Sequence, residues 1–352
     1  MNFSKRPIYI LMAAALMLAL AVYLKFSPSS RMVEKTAFYM GTFVQIKVPV
    51  ASETAEITAL NAIYKAFEEI ARIEGVFSVF KEDSEISRIN AMKAGEPMQI
   101  SDETFALIER SIDFNKKTAG AFDITVKPLV DLWRTAAHEK KLPSEESVRS
   151  ALLKVGSDYI VLDQLTRTIT FQREGMAIDM GGVAKGYATD RAVAVLEANG
   201  IKDAIVNSGG DMYCLGKKTK INMWRVGIQH PRDKSSMAME IELKDAAIVT
   251  SGDYEKYFIL YGKRYSHIID PRTGYPAGDD IVSATVISPD SATSDILATA
   301  LCVLGKKGIG IAEAVEGADA IIISETKGGL KVMTTSGIDK RYAITKKCRF
   351  IN

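Results

Sequence analysis

Apolar positions change their period several times along this chain, and each change predicts an element. Residues 38–48 (FYMGTFVQIKV) alternate and predict a strand. Ile57, Leu60, Ile63, Tyr64, Phe67, Ile70 and Ile73 then recur at helical spacing, predicting a helix that ends at Gly75. Residues 77–90 are polar and predict an irregular segment with an apolar pair at its start. Ser101 is placed to cap a second helix, with Phe105, Ile108 and Ile112 inward and Gly120 just beyond its end. Residues 120–133 predict an extended or turn segment and then an apolar patch. A helix over 144–155, capped by Ser144, and a hairpin from 158–163 and 168–173 follow.

The stretch 177–190, AIDMGGVAKGYATD, is the most informative. Its pattern predicts a strand ending in Asp179, a Gly181-Gly182 turn and an amphipathic helix running to Asn199-Gly200. Val183, Tyr187, Ala188, Ala192, Val195 and Leu196 form the inward face of that helix. Residues 203–216 predict strand, Gly-Gly turn, strand, and strand-like segments continue to a turn at 270–276. A strand and capped helix (284–305) and closing strands at 318–324 and 330–334 complete the pattern. Helices and strands mix without strict βαβ alternation, which predicts an α+β fold.

The N-terminus carries a different signal. Lys5 and Arg6 precede an uncharged run, Pro7–Leu24, closed by Lys25. The run is near the shortest length that spans a bilayer. No A-x-A-like cleavage site and no lipid-attachment cysteine follow it. The expectation is an uncleaved signal anchor over 1–30, with a cleaved signal peptide as the alternative, and one exported domain over 31–352. Lys5 and Arg6 would remain in the cytoplasm. The apolar fraction of 47% and charged fraction of 25% are ordinary for a globular chain, and a net charge of +2 gives no nucleic-acid footprint. The three cysteines are widely spaced and form no zinc pattern. Cys302, in an apolar run, reads as a core thiol.

Five groups of residues are candidates for chemistry. A Gly-Gly turn at a helix N-terminus can present N–H groups to phosphate, although this one matches neither G-x-G-x-x-G nor G-x-x-x-x-G-K-[ST]. Asp295 and Thr299 lie four apart on one helix face, a spacing that serves local hydrogen bonding or a hard cation such as magnesium or calcium. His267 sits at a strand end three residues before Asp270, where an imidazole can be structural or act as a general base. Asp123 in GAFDIT can fix a turn, and Phe77, Phe80 and Met40 can pack a core or sandwich a flat ring.

The order of the motifs decides among these uses. M-G-T, F-S-x-F…S-x-I-x-x-I-N, G-A-F-D-x-T-V-x-P-L, D-M-G-G-V-A-K-G-Y-x-x-D, N-S-G-G-D, T-S-G-D-Y-x-x-Y-F, H-I-I-D-P-R-T-G and D-S-A-T-S-D-x-L-A-T-A occur in series. From about residue 36 to 340 the chain resembles the FAD:protein FMN transferases, the ApbE family. The resemblance implies magnesium-dependent cleavage of FAD, with FMN joined to a Thr or Ser hydroxyl of an acceptor protein and AMP released. It implies Asp295, Thr299 and the Ala184 carbonyl as magnesium ligands. Met40, Phe77, Ala121, Phe122, Asp123, Asp179, Lys185, Ile268 and Thr273 would line the FAD site, and His267 or Asp270 would take the proton. Lys127 stands where relatives often carry Gly. The implied acceptors are exported Thr-containing segments of membrane redox complexes. The implied location is the outer face of a bacterial cytoplasmic membrane. An FAD pyrophosphatase and a non-catalytic flavin-binding protein are the alternatives.

Overall fold

In a computed structural model of the protein, residues 31–347 are described apart from 220, 279, 280 and 327. The anchor expected over 1–30, and Cys348, lie outside the described residues. Among the described residues no helix is long and apolar enough to cross a membrane.

Eight strands form the main sheet. Their spatial order is Arg31–Tyr39, Thr42–Val50, Ala204–Ser208, Asp211–Leu215, Ala246–Gly252, Ile281–Ser288, Asp319–Thr326 and Gly329–Thr334. Each neighbouring pair is antiparallel. Antiparallel pairing with helices gathered on the sheet is the mixed arrangement the pattern predicts. Three small sheets complete the fold. One is the ribbon of Tyr257–Leu260 with Lys263–Ser266, and another joins Trp224–His230, Asp233–Leu243 and Ile344–Lys347. The third joins Met98–Gln99, Thr168–Phe171 and Ile160–Asp163.

Three helices stack over the main sheet. Ser291–Leu304 lies on the strands Ala246–Gly252 and Ile281–Ser288, Ala184–Ala198 packs on it, and Glu53–Phe77 packs on Ala184–Ala198. The first of these is held at its N-terminus by two carboxylates. Asp290 caps it, accepting from the Thr293 N–H at 2.8 Å, and Asp190 accepts from the Ser291 and Ala292 N–H groups at 2.6 and 3.0 Å. Negative charge at a helix N-terminus complements its dipole. The two central helices cross so closely that a Cβ on Gly186 would lie 2.3 Å from the Ser291 carbonyl oxygen. Gly186→Ala is therefore expected to force the helices apart and lower unfolding stability by about 1–3 kcal/mol, measured by urea denaturation.

Several expectations need correction. Residues 38–48 are not one strand. They are two arms of a hairpin turning at Met40-Gly41, with Tyr39 opposite Thr42. The first long helix passes Gly75 and ends at Phe77, because nothing after Gly75 leaves the helical conformation until Ser78. Ile63, Phe67, Ile70 and Ile73 are buried as predicted, but the inward face does not take in all seven residues. Ile57 and Tyr64 are 57% and 53% exposed, while Ala59, Ala62 and Ala66 are buried. Small alanines let the neighbouring helix approach, which a count of large apolar residues overlooks. Within 77–90 a short helix, Glu85–Asn90, is capped by Ser84. Residues 127–139 are helical, with Pro128 in the first turn where it is tolerated. The predicted strand before Asp179 is not formed: the segment pairs with no strand. Asn90 substitutes for a neighbouring strand: its side chain accepts from the Ile178 N–H at 2.7 Å and donates to the Ile178 carbonyl at 2.9 Å.

Candidate active site

The Asp179–Lys185 segment occupies the centre of the site because its backbone is fixed on both sides. Asn90 holds Ile178, and the Asp179 N–H donates to the Ile124 carbonyl at 2.7 Å. The Asp179 carboxylate turns back onto its own loop, accepting from the Gly181 N–H at 2.8 Å. Gly182 then passes between two side chains from distant parts of the chain. A Cβ there would stand 3.1 Å from Phe122 Cε2 and 3.4 Å from Thr299 Oγ1. The glycine thus lets the loop backbone approach the Thr299 hydroxyl.

Asp295 lies one helical turn before Thr299. It is 2% exposed, and its Oδ2 accepts from the Gly186 N–H at 3.0 Å. Lys185 ion-pairs with Asp211, the residue immediately after the Gly209-Gly210 turn. Burial alone would lower the Lys185 ammonium, but the charges of Asp211, Asp295 and Glu255 hold it above the ordinary lysine range. Burial pushes the Asp295 carboxyl up to about 6, with Lys185 pulling against it. Burial and then Asp211 raise the Glu255 carboxyl to about 7. One lysine thus faces three carboxylates, an excess of negative charge that invites a cation.

The ligand chemistry fits a hard divalent ion. No cluster of three or more His, Cys, Asp and Glu able to hold a metal occurs among the described residues. An ion here would depend on mixed oxygen ligation: the Asp295 carboxylate, the Thr299 hydroxyl and a backbone carbonyl of the first helical turn, where Ala184 lies. Magnesium accepts few protein ligands and keeps water or phosphate oxygens in the remaining positions.

His267 stands at the end of the Lys263–Ser266 strand. Its Nδ1 is 2.8 Å from the Lys256 carbonyl oxygen, and its own N–H donates to that same oxygen at 3.1 Å. A carbonyl only accepts, so Nδ1 carries the hydrogen and Nε2 keeps its lone pair. Burial disfavours the imidazolium and holds the His267 pKa below its ordinary 6.5, with the positive charges of Lys256 and Lys185 adding to the effect. The residue still has an open side to solvent. Asp270 is engaged differently. Its carboxylate takes both the Nε and a terminal N–H of Arg272 at 2.9 Å, and the Arg272 backbone N–H as well. Of the two candidates for the base, His267 has the free acceptor atom.

The other expected site residues divide into two sets. Phe77, Ala121, Phe122 and Ile268 are 1–7% exposed and belong to the apolar core behind the site. Phe77 meets the Tyr187 ring edge-on at 5.8 Å, whereas Phe80 lies 77% exposed beside Arg134. The two phenylalanines do not form a sandwich. Met40 occupies the hairpin turn, its N–H held by Glu74 at 2.7 Å. That hairpin touches the Gly209-Gly210 turn, where Gly209 donates to the Phe43 carbonyl at 3.0 Å. Thr273 is exposed in the Asp270 turn and accepts from the Tyr275 N–H at 3.3 Å. Asp123 fixes its loop, accepting from Thr125, Ser157 and Asn115. Lys127 pairs with Asp131 along its own helix at 2.6 Å.

Sequence reasoning assigned no role to Asp211, Glu255, Asn90 or the Lys256 carbonyl. Asp211 lies inside a motif already singled out, N-S-G-G-D, and Glu255 at an unspecified position of T-S-G-D-Y-x-x-Y-F. An acid directly after a Gly-Gly turn is the signal that marks Asp211. Asn90 ends the S-x-I-x-x-I-N motif, but its partner is 88 residues away and no motif names it.

Known proteins resemble this chain over most of its length. The sequence pattern of the ApbE family matches residues 40–322. A protein of Treponema pallidum named FAD:protein FMN transferase is 31% identical over 320 residues, covering 87% of each chain. A Vibrio cholerae protein of the same name is 34% identical, covering 84% of this chain and 89% of its own. The solved flavin transferase ApbE from Vibrio cholerae superposes with a TM-score of 0.77 at 31% identity, covering 88% of this chain and 99% of that one. The crystal structure of the ApbE protein from Thermotoga maritima gives 0.79 at 34% identity, with the same coverage. With a match that spans the core strands, the Gly-Gly turn and the helix of Asp295 and Thr299, this chain belongs to the ApbE family.

Proposed function

We propose that this protein transfers FMN from FAD to a Thr or Ser hydroxyl of an acceptor protein and releases AMP. The observation that carries the reading is the meeting of Asp295 and Thr299 with the Gly181-Gly182 turn and Lys185, a hard-oxygen and cationic site suited to a pyrophosphate. The FAD:protein FMN transferases that cover most of the chain support it. Phosphoryl transfer is largely a matter of positioning and charge neutralisation, which such a site supplies.

In this reading Asp295, Thr299 and the Ala184 carbonyl would hold Mg²⁺, which would supply charge neutralisation to a pyrophosphate. Lys185, kept protonated by its three acids, adds fixed positive charge. The hydroxyl oxygen attacks the phosphorus of the FMN half, its proton passes to His267 Nε2, and the bond to the AMP oxygen breaks. Phe122 and Ile268 back the site with apolar surface and exclude water from it. Met40, Phe77, Ala121, Asp123, Asp179 and Thr273 complete the walls. The acceptors are exported Thr-containing segments of membrane redox complexes. The enzyme acts at the outer face of a bacterial cytoplasmic membrane, anchored by residues 1–30.

The test is to incubate residues 31–352 with FAD, Mg²⁺ and a soluble Thr-motif domain of a membrane redox complex. The expected result is in-gel flavin fluorescence and a mass gain of one FMN on that domain, with equimolar AMP. Release of FMN and AMP with the acceptor unmodified would replace the reading with FAD hydrolysis.

A further inference from the structure

The strand that ends at His267 belongs to a two-stranded ribbon. Tyr257–Leu260 and Lys263–Ser266 pair only with each other as strands, through a two-residue turn at Tyr261-Gly262 whose φ values are 51° and 76°. In such a turn the flanking residues, Leu260 and Lys263, form a hydrogen-bonded pair. The alternation then makes Phe258 with Tyr265 the next such pair and Lys256 with His267 the one after. The His267 N–H donating to the Lys256 carbonyl at 3.1 Å confirms that parity. It follows that the N–H and C=O groups of Tyr257 and Ile259 point away from the partner strand.

Nothing among the described residues takes those groups. Beyond the end of the other strand, the Ala277 N–H donates to the Ile268 carbonyl at 2.8 Å and Ile269 bridges Pro276, so a chain segment already runs along that strand's continuation. The two faces of the ribbon also differ. Phe258 and Tyr265 stack on one another at 5.1 Å and on Trp133, which fixes the ribbon to the body of the protein. On the other face Tyr257 and Ile259 are 45% and 64% exposed. A short, firmly supported edge with apolar side chains is a template for an added strand.

We propose that the Tyr257–Leu260 edge receives the acceptor polypeptide as an added extended strand. This rests on the transferase reading, which requires a polypeptide substrate at this site. The edge is continuous with the chemistry: Lys256, the next residue, carries the carbonyl that orients His267. An added strand lies two strand spacings, about 10 Å, from the His267 backbone. About three extended residues cover that distance, so the reactive Thr follows the paired segment by about three positions. Recognition would be mainly through backbone bonds at Tyr257 and Ile259, with one apolar acceptor side chain against Ile259. The acceptor class is therefore an unstructured or loop segment in extended form, not a helix.

Ile259→Pro tests this, because it removes an N–H that the ribbon does not use and proline is tolerated at an edge strand. With the Thr-motif domain as acceptor, the expected result is at least a tenfold rise in acceptor KM for Ile259→Pro and less than threefold for Ile259→Ala. FAD affinity, read by flavin fluorescence quenching, and FAD hydrolysis without acceptor should stay at the wild-type level. An unchanged acceptor KM in a folded Ile259→Pro protein overturns the proposal. If that variant does not fold, Thr-motif peptides N-methylated at successive backbone positions are offered to the wild-type enzyme. Alternating loss of reactivity two to six residues before the Thr supports the proposal, and uniform reactivity overturns it. A wild-type enzyme that cleaves FAD but labels no acceptor refutes the transferase reading instead.

Discussion

Asp295→Ala should reduce both FMN transfer and FMN-plus-AMP release to background, a loss of at least about 10³-fold. The carboxylate is almost fully buried, accepts the Gly186 N–H and faces Lys185. Its removal takes away the strongest hard-oxygen ligand in the site and frees Lys185 from one of its three acids. The fold should survive, because the helix keeps its N-terminal anchors at Asp190 and Asp290. The variant should therefore melt cooperatively and lose Mg²⁺ binding by calorimetry. A variant that keeps Mg²⁺ affinity and turnover would remove the assignment of Asp295 as a metal ligand.

His267→Ala should slow transfer by about 10²–10⁴-fold, the usual contribution of a positioned general base. Its pH dependence has a definite sign. The neutral imidazole is the active form, and crowding by protein holds the pKa below 6.5. Wild-type transfer should thus be at full rate above pH 6.5 and fall as the pH drops through the depressed His267 pKa. His267→Ala should lose that limb while keeping FAD affinity. If the limb persists in His267→Ala, the base is another group. Asp270→Asn provides the contrast: its main effect should be a loosened 270–276 turn, since Arg272 occupies its carboxylate.

How the local pattern failed is instructive. Residues 127–139 are a helix, yet the aromatic and β-branched residues before it and a proline in its first turn gave it the look of an extended segment. Its apolar members Leu129, Trp133 and Ala136 are buried against a separate small cluster with Ile269, and that packing stabilises the helix. The strand expected before Asp179 failed for the opposite reason. Met176, Ile178 and Met180 alternate as a strand would and are buried, but a side-chain amide takes the place of a second strand. Backbone groups must be satisfied, and sequence pattern does not say by what.

The sequence by itself determined the caps at Ser101 and Ser144, the Gly-Gly turns, the hairpin observed over 160–171 and the helix ending at Asn199. It also determined the family, because short motifs in a fixed order are a property of the chain and need no coordinates. These features depend on residues within a few positions of one another, where sterics and hydrogen-bond reach are local. Only the tertiary structure decided that Gly182 faces Thr299, that Lys185 serves Asp211, Asp295 and Glu255 together, and that the Lys256 carbonyl selects the His267 tautomer. Charge, burial and the direction of a hydrogen bond at these positions are set by partners from distant parts of the chain, and that distance is what a linear pattern does not encode.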